Sequence, residues 1–236
     1  QEKFLVIGSN SFSGASFVDF LLRDGATVIG TSRSAEAHRA FLPYRWSGRD
    51  SAFRFEQCDL NHDLDKLMSI VSAEKPQYVV NFAAQSMVGE SWKNPDHWFM
   101  TNVVSAVRLH DRLRQCDFLR KYVHVTTPEV YGSTDGFIRE NTPFNPSTPY
   151  AVSRAAGDMS LRTYFDTYKF PVVFTRAANS PVDLDRRFAA IAAPLEMNWE
   201  MVSAEKRPRV LIAVSKIGHC LHDLLHRWHS GQMPID

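Results

Sequence analysis

Short runs of apolar residues alternate along this chain with stretches whose apolar positions recur every three or four residues. That alternation predicts strands each followed by a helix, and hence a mainly parallel sheet. Lys3 to Ile7 reads as a continuous apolar strand; Phe12, Ala15, Val18, Leu21 and Leu22 then repeat at helical spacing until Gly25 offers a helix stop. Thr27 to Gly30, Phe53 to Cys58, Tyr78 to Phe82, Tyr122 to Thr126 and Pro171 to Thr175 read as the remaining strands. Helices are expected from Leu64 to Val71, from about His97 to Gln115, and after Pro149. Ser34 to Asp50, with Pro43, Ser47 and Gly48, reads as an irregular excursion. The expected fold class is α/β, a Rossmann-like doubly wound parallel sheet with helices on both faces, occupying residues 1–180.

The remainder, 181–236, has a pattern of its own. Leu184, Phe188, Ile191 and Leu195 form one helical stripe, and Val210 to Val214 reads as a strand. Ile217, Cys220, Leu221, Leu224, Leu225 and Trp228 form a second stripe, with Gly231 to stop it. Such stripes need cover, so a helix–strand–helix tail docked on the first domain is expected. Composition adds mainly exclusions. Lys and Arg number 27 against 26 Asp and Glu, a balance that suggests neither nucleic acid nor an anionic membrane as partner. No apolar run approaches the roughly 20 residues of a membrane span, and the opening QEKFLVIG reads as a strand rather than a signal peptide. Three scattered cysteines, Cys58, Cys116 and Cys220, suggest reduced thiols and a cytoplasmic protein. His219, His222, His226 and His229 lie at helical intervals without accompanying ligands, so no metal site is expected.

Between the first strand and helix the chain reads Gly8-Ser9-Asn10-Ser11-Phe12-Ser13-Gly14. Terminal glycines let the backbone bend and the helix approach the sheet, while the helix start points free N–H groups at a phosphate. Gly8, Ser11, Phe12, Ser13 and Gly14 are therefore candidates to hold a pyrophosphate, with a purely structural turn as the alternative. Ser11 stands where the dinucleotide pattern has its middle glycine and crowds the closest backbone approach. The end of the second strand is where such a site selects its ribose. Thr31-Ser32-Arg33-Ser34 offers no acid before Glu36, so Ser32 and Arg33 favour NADP over NAD, unless Arg33 is simply a solvent-facing cation. Asp59 and Leu60 after the third strand are placed to meet adenine, and Phe82, Ala83 and Ala84 after the fourth to line the dinucleotide.

Two further segments carry reactive side chains: Thr126-Thr127-Pro128-Glu129-Val130-Tyr131-Gly132 and Tyr150-Ala151-Val152-Ser153-Arg154. With the glycine turn, CDLNHDL, VVNFAAQSMVGESW, TNV, NPSTPYAVSRAAGD and VVFTRAAN, they make residues 3–179 resemble the extended short-chain dehydrogenase/reductases, specifically the nucleotide-sugar 4,6-dehydratases and their relatives. The resemblance implies an NAD(P)-dependent enzyme acting on a nucleotide-diphosphate sugar, assembled as a homodimer through the long helices after the fourth and fifth strands. It implies that Tyr150 takes the proton of the sugar 4-hydroxyl, that Thr127 hydrogen-bonds the 4-oxygen, and that Glu129 takes the C5 proton. A phenol with a pKa near about 10 needs a neighbouring cation to serve as base at neutral pH. The family's lysine, which also holds the nicotinamide ribose, is Arg154 here, and the acid that precedes the glutamate is Pro128. Arginine keeps the charge but cannot give up a proton, so retuned or reduced activity is expected.

Residues 181–236, above all RPRVLIAVSKIGHCLHDLLHRWHSGQMPID, instead resemble a fragment of the formyltetrahydrofolate deformylases, short of their catalytic residues. A chimera joined near residue 180 is the corresponding expectation. Three functions follow: a nucleotide-sugar dehydratase or epimerase, a non-catalytic dinucleotide-binding fold, and a deformylase fragment.

Overall fold

The computed structural model describes residues 2–46, 48–133, 138, 139 and 141–175. The expected tail elements, their histidines and the junction near residue 180 all lie outside these residues. Six parallel strands form one sheet in the order β3-β2-β1-β4-β5-β6, namely β1 Lys3–Ile7, β2 Thr27–Ser32, β3 Phe53–Gln57, β4 Tyr78–Asn81, β5 Lys121–Val125 and β6 Val172–Thr175. This is the expected doubly wound order. It reverses between β1 and β4, where Ile7 pairs with both Thr31 and Asn81, and a crevice opens at that switch.

Alternating side chains of β1 explain the two faces. Leu5 and Ile7 pack with Leu67, Val71, Leu109, Leu113, Tyr122 and Leu161 on one side. Val6 packs with Ala15, Val18, Leu22, Val28 and Phe53 on the other. The first side is covered by α2 Leu64–Glu74, α5 Ala106–Leu113 and α6 Pro149–Tyr168, the second by α1 Phe12–Arg23.

Element ends depart from the pattern for local reasons. β2 continues past Gly30 because Thr31 and Ser32 keep their ladder partners, Glu56 and Gln57. α2 runs beyond Val71, its last buried apolar residue, to a left-handed stop at Lys75. The excursion from Ser34 to Asp50 is more ordered than expected. It contains 3₁₀ turns at Arg39–Phe41 and Pro43–Arg45, followed by Asp50–Ala52, around a fully buried Tyr44 whose ring packs at a tilt on Phe53, 4.4 Å between ring centroids. The helix expected from about His97 to Gln115 is compound: α4 Pro95–Phe99, a π-helical turn Met100–Ser105, then α5. A further short helix, α3 Val88–Ser91, precedes it.

The π turn meets α6 closely. A Cβ on Gly157 would lie 2.7 Å from the Asn102 carbonyl oxygen. Replacing a mid-helix glycine by alanine normally gains up to about 1 kcal/mol. Here the backbone contact reverses that sign: Gly157→Ala is expected to lower the urea midpoint, with an apparent loss of about 1–3 kcal/mol.

Candidate active site

The crevice at the switch is a cavity of about 300 Å³. Of the residues expected to hold a dinucleotide, Gly8, Ser11, Ser32, Arg33, Asp59, Leu60, Phe82, Ala83 and Ala84 all line it. Phe12, Ser13 and Gly14 do not, opening α1 beside it with the Phe12 side chain 91% exposed, and neither do Tyr150 and Arg154, the two residues of α6 also expected to hold the dinucleotide. Gly8 sits at φ +87°, and a Cβ there would be 2.8 Å from the Ala83 amide nitrogen, so its backbone touches the segment leaving β4. Gly14 is equally constrained, 2.3 Å from such a Cβ to the Gly8 oxygen. Ser11 turns out to be the N-cap of α1: its Oγ accepts from the Gly14 amide at 3.0 Å and donates to the Gly8 carbonyl at 2.8 Å. The hydroxyl is thus drawn back into the turn rather than crowding the crevice. The amides of Phe12 and Ser13 have no hydrogen-bond acceptor among the described residues, leaving two donors at a helix start for an anion.

Asn10, which the motif reading passes over, ties the glycine turn to the β2 end. Its amide donates to Ser32 Oγ (2.9 Å) and its side chain to the Ala35 carbonyl (2.7 Å), while its buried Oδ1 has no partner. The first acid after β2, Glu36, is already engaged: Tyr44 donates its hydroxyl at 2.9 Å and Arg45 forms an ion pair at 2.7 Å. Cys58 also borders the cavity, its thiol pushed up to about 11, first by burial and then by nearby Asp63. It is a small apolar wall rather than a nucleophile. These features fit a dinucleotide: open amides, an orphaned buried acceptor, and close backbone approach at Gly8.

Thr127, Glu129, Tyr150 and Arg154 form a second group at the end of β5 and the start of α6. Thr127 caps a 3₁₀ turn, Pro128–Tyr131, by accepting from the Glu129 amide at 3.3 Å. Pro128 suits the first position of that turn, where no amide donor is needed. Val130 and Tyr131 pack on Ala155 of α6, with Phe144 edge-on to Tyr131, so the turn bearing Glu129 is held against the helix bearing Tyr150. Thr148 caps α6, and the Tyr150 amide donates to Ser91 Oγ at 3.2 Å, tying that helix start to α3. Glu129 is exposed, whereas Tyr150 and Thr127 are 8% and 7% exposed. Arg154 is buried, donating from its guanidinium to the Val125 carbonyl at the strand end.

A buried polar chain links the β5 end and α6 to the cavity wall. Asp158 of α6 accepts from Thr126 Oγ1 at 2.9 Å and pairs with His124 Nε2 at 3.3 Å. His124 Nδ1 lies 3.4 Å from the Tyr122 hydroxyl, which accepts from Asn81 Nδ2 at 3.0 Å and meets His110 Nε2 at 3.0 Å. Asn81 Oδ1 then accepts from the Ala83 amide at 2.9 Å, at the cavity wall. Asn102 adds a second bridge, to Gln85 O and to Ser153 Oγ, each at 3.0 Å. Asn10, Asn61, Gln85 and Thr101 line the cavity without having been singled out. Polar residues just beyond strand ends were the signal available for Asn10, Asn61 and Gln85; Thr101, in the π turn, had none.

With this geometry in view, the family model described as GDP-mannose 4,6 dehydratase matches residues 5–190. The dTDP-glucose 4,6-dehydratase of Xanthomonas campestris pv. campestris (strain B100) is 30% identical over 187 residues, covering 75% of this chain and 53% of the relative. The UDP-glucose 4-epimerase of Mycolicibacterium smegmatis is 32% identical over 182 residues, covering 74% of this chain and 55% of the relative. Among solved structures, the dTDP-glucose 4,6-dehydratase of Streptomyces venezuelae with NAD bound superposes with a TM-score of 0.66 at 29% identity, covering 81% of this chain and 62% of that one. The chain belongs to this family of nucleotide-sugar dehydratases and epimerases within the extended short-chain dehydrogenase/reductases. It spans about half the length of the curated relatives it matches. The family match also continues past the junction expected near residue 180, so the resemblance does not break where the chimera reading placed the join.

The buried chain has a pH signature. Burial first, and the charge of His124 second, hold the His110 pKa well below its usual 6.5. Below about pH 6.5 the unfolded chain takes up a proton at this residue that the native one refuses, so stability falls as pH drops. Urea unfolding between about pH 7 and pH 5 should show a slope approaching 1.4 kcal/mol per pH unit from this group. His110→Phe should flatten that slope.

Proposed function

We propose that this chain carries the cofactor-binding and catalytic residues of an NADP-dependent nucleotide-sugar 4,6-dehydratase. The observation that carries the reading is the packing of the Thr127–Glu129 turn against α6, which sets Thr127, Glu129 and Tyr150 at the same sheet end as the crevice. The preference for NADP over NAD is supported by the engagement of Glu36 with Tyr44 and Arg45, which leaves no acid at the β2 end to receive a ribose 2′-hydroxyl. Gly8, Ser11 and the opening amides of α1 would hold the pyrophosphate, Ser32 and Arg33 the ribose, Asp59 and Leu60 the adenine, and Phe82 to Ala84 the wall behind the dinucleotide.

When bound, the dinucleotide would accept hydride from sugar C4 and return it to C6 once water has left, with a proton restored at C5, so that the product is a 4-keto-6-deoxy sugar and the cofactor ends unchanged. Tyr150 takes the proton of the 4-hydroxyl, with Thr127 hydrogen-bonded to that oxygen and Arg154, one helical turn on, contributing positive charge. Oxidation at C4 acidifies C5–H. Glu129 removes that proton and returns it to the 6-hydroxyl, which leaves as water when the C6–O bond breaks. One carboxyl serves both transfers because Pro128 can neither donate nor accept a proton. A nucleoside-diphosphate hexose is the substrate class of this reading. A homodimer through the helices after β4 and β5 belongs to it as well, supported by Val152 and Met159 on an exposed face of α6. So does a cytoplasmic setting, supported by Cys58 and Cys116, both free thiols.

The test incubates the chain with NADP or NAD and a panel of nucleoside-diphosphate hexoses, then measures 4-keto-6-deoxy product. Tyr150→Phe should lower turnover about 100- to 10,000-fold, and Glu129→Gln should slow elimination by at least about 100-fold. NADPH binding without product from any sugar would favour a non-catalytic dinucleotide-binding protein. Failure to bind either dinucleotide would remove the proposal.

A further inference from the structure

Arg33 faces two adjoining spaces. One is the crevice between the strand ends. The other, of about 390 Å³, opens beside it and shares with it Arg33, Asp59, Asn61, Gln85 and Thr101. The wall that only this second space has is formed by His62, His97, Met100 and one guanidinium, that of Arg108.

The π turn places Arg108 there. Asn61 Nδ2 donates to Thr101 Oγ1 at 3.1 Å, and Ser105 Oγ donates to Asn61 Oδ1 at 2.7 Å, so one asparagine grips both ends of the wide turn. Arg108 follows Ser105 by three positions and therefore lies next on the same helix face. The grip on Asn61 sets the rotation of the helix and turns Arg108 toward the space that Arg33 borders.

Neither arginine is neutralised. Arg112, one turn beyond Arg108, pairs with Asp65 at 3.0 Å, and Arg45 pairs with Glu36 at 2.7 Å. Arg33 and Arg108 have no carboxylate partner among the described residues. The one carboxylate on this wall, Asp59, already accepts from the Asn61 amide at 2.8 Å. Both side chains are exposed and border the same space, so an anion entering it meets two guanidinium groups.

We propose that Arg108 is a second cofactor-selecting residue, which together with Arg33 takes the 2′-phosphate of NADP in this adjoining space. The inference rests on the NADP reading above and adds a residue from a different element to it. A phosphate monoester offers three acceptor oxygens, enough for two forked guanidinium groups, whereas the 2′-hydroxyl of NAD leaves both unsatisfied.

Fluorescence titrations of the whole chain with NADPH and NADH test it, with 2′,5′-ADP and 5′-AMP as competing fragments that differ only in the 2′-phosphate. Arg108→Ala should weaken NADPH and 2′,5′-ADP binding about 10- to 100-fold, the scale of a lost charge-assisted contact. NADH and 5′-AMP binding should be unaffected, which also shows that the variant is folded. If Arg33→Ala loses the NADPH preference while Arg108→Ala keeps it, the NADP reading stands and the role of Arg108 is overturned. Equal weakening of NADPH and NADH by Arg108→Ala likewise overturns it. A wild-type chain that prefers NADH removes both.

Discussion

The approach of the Gly8 backbone to Ala83 is the constraint on which the rest of this structure depends. β1 and β4 lie side by side, and the turns leaving them diverge to opposite faces of the sheet, so the crevice between them exists only if the two backbones can touch at its base. A left-handed residue without a side chain meets that need. The helix start that offers amides, the β2 end that offers Arg33, and the small wall at Ala83 and Ala84 are all arranged around this one contact.

The wall is held from behind by polar groups rather than by apolar packing alone. Asn81, Tyr122, His110, His124 and Asp158 form a buried chain from the Ala83 amide to α6, with Thr126 bonded at its far end. Such a chain tolerates few alternative arrangements, even with His110 Nδ1 left without a hydrogen-bond partner among the described residues. It therefore orients the β5 end and α6, and with them Thr127 and Tyr150, relative to the floor of the crevice. Arg154 contributes to the same registration through the Val125 carbonyl. The position that the family fills with lysine is thus tied to the strand end in this chain.

Much of this organisation was legible in the order of residues. Parallel topology followed from apolar runs alternating with helical stripes, and the crevice lining followed from the residues just past each strand. What stayed hidden depended on partners distant in the chain. Ser11 looks like an obstruction until its hydroxyl is seen to cap α1. The loop after β2 looks irregular because its order comes from one buried ring, Tyr44, and the carboxylate it engages. No local pattern distinguishes the π turn from ordinary helix, since its stabilisation comes from Asn61, Gln85 and Ser153, far away in sequence.

That wide turn has an evolutionary corollary. A π turn houses one residue more than an α turn, and adding or removing one residue from a helix swings everything downstream by about 100°. Winding Met100–Ser105 into regular helix with its length unchanged would carry Leu109 and Leu113 out of the core and turn Arg108 away with them. Losing one residue as the turn narrows would instead keep that face inward, so this segment is where descendants of the chain can change length by one while the rest of the helix holds its place.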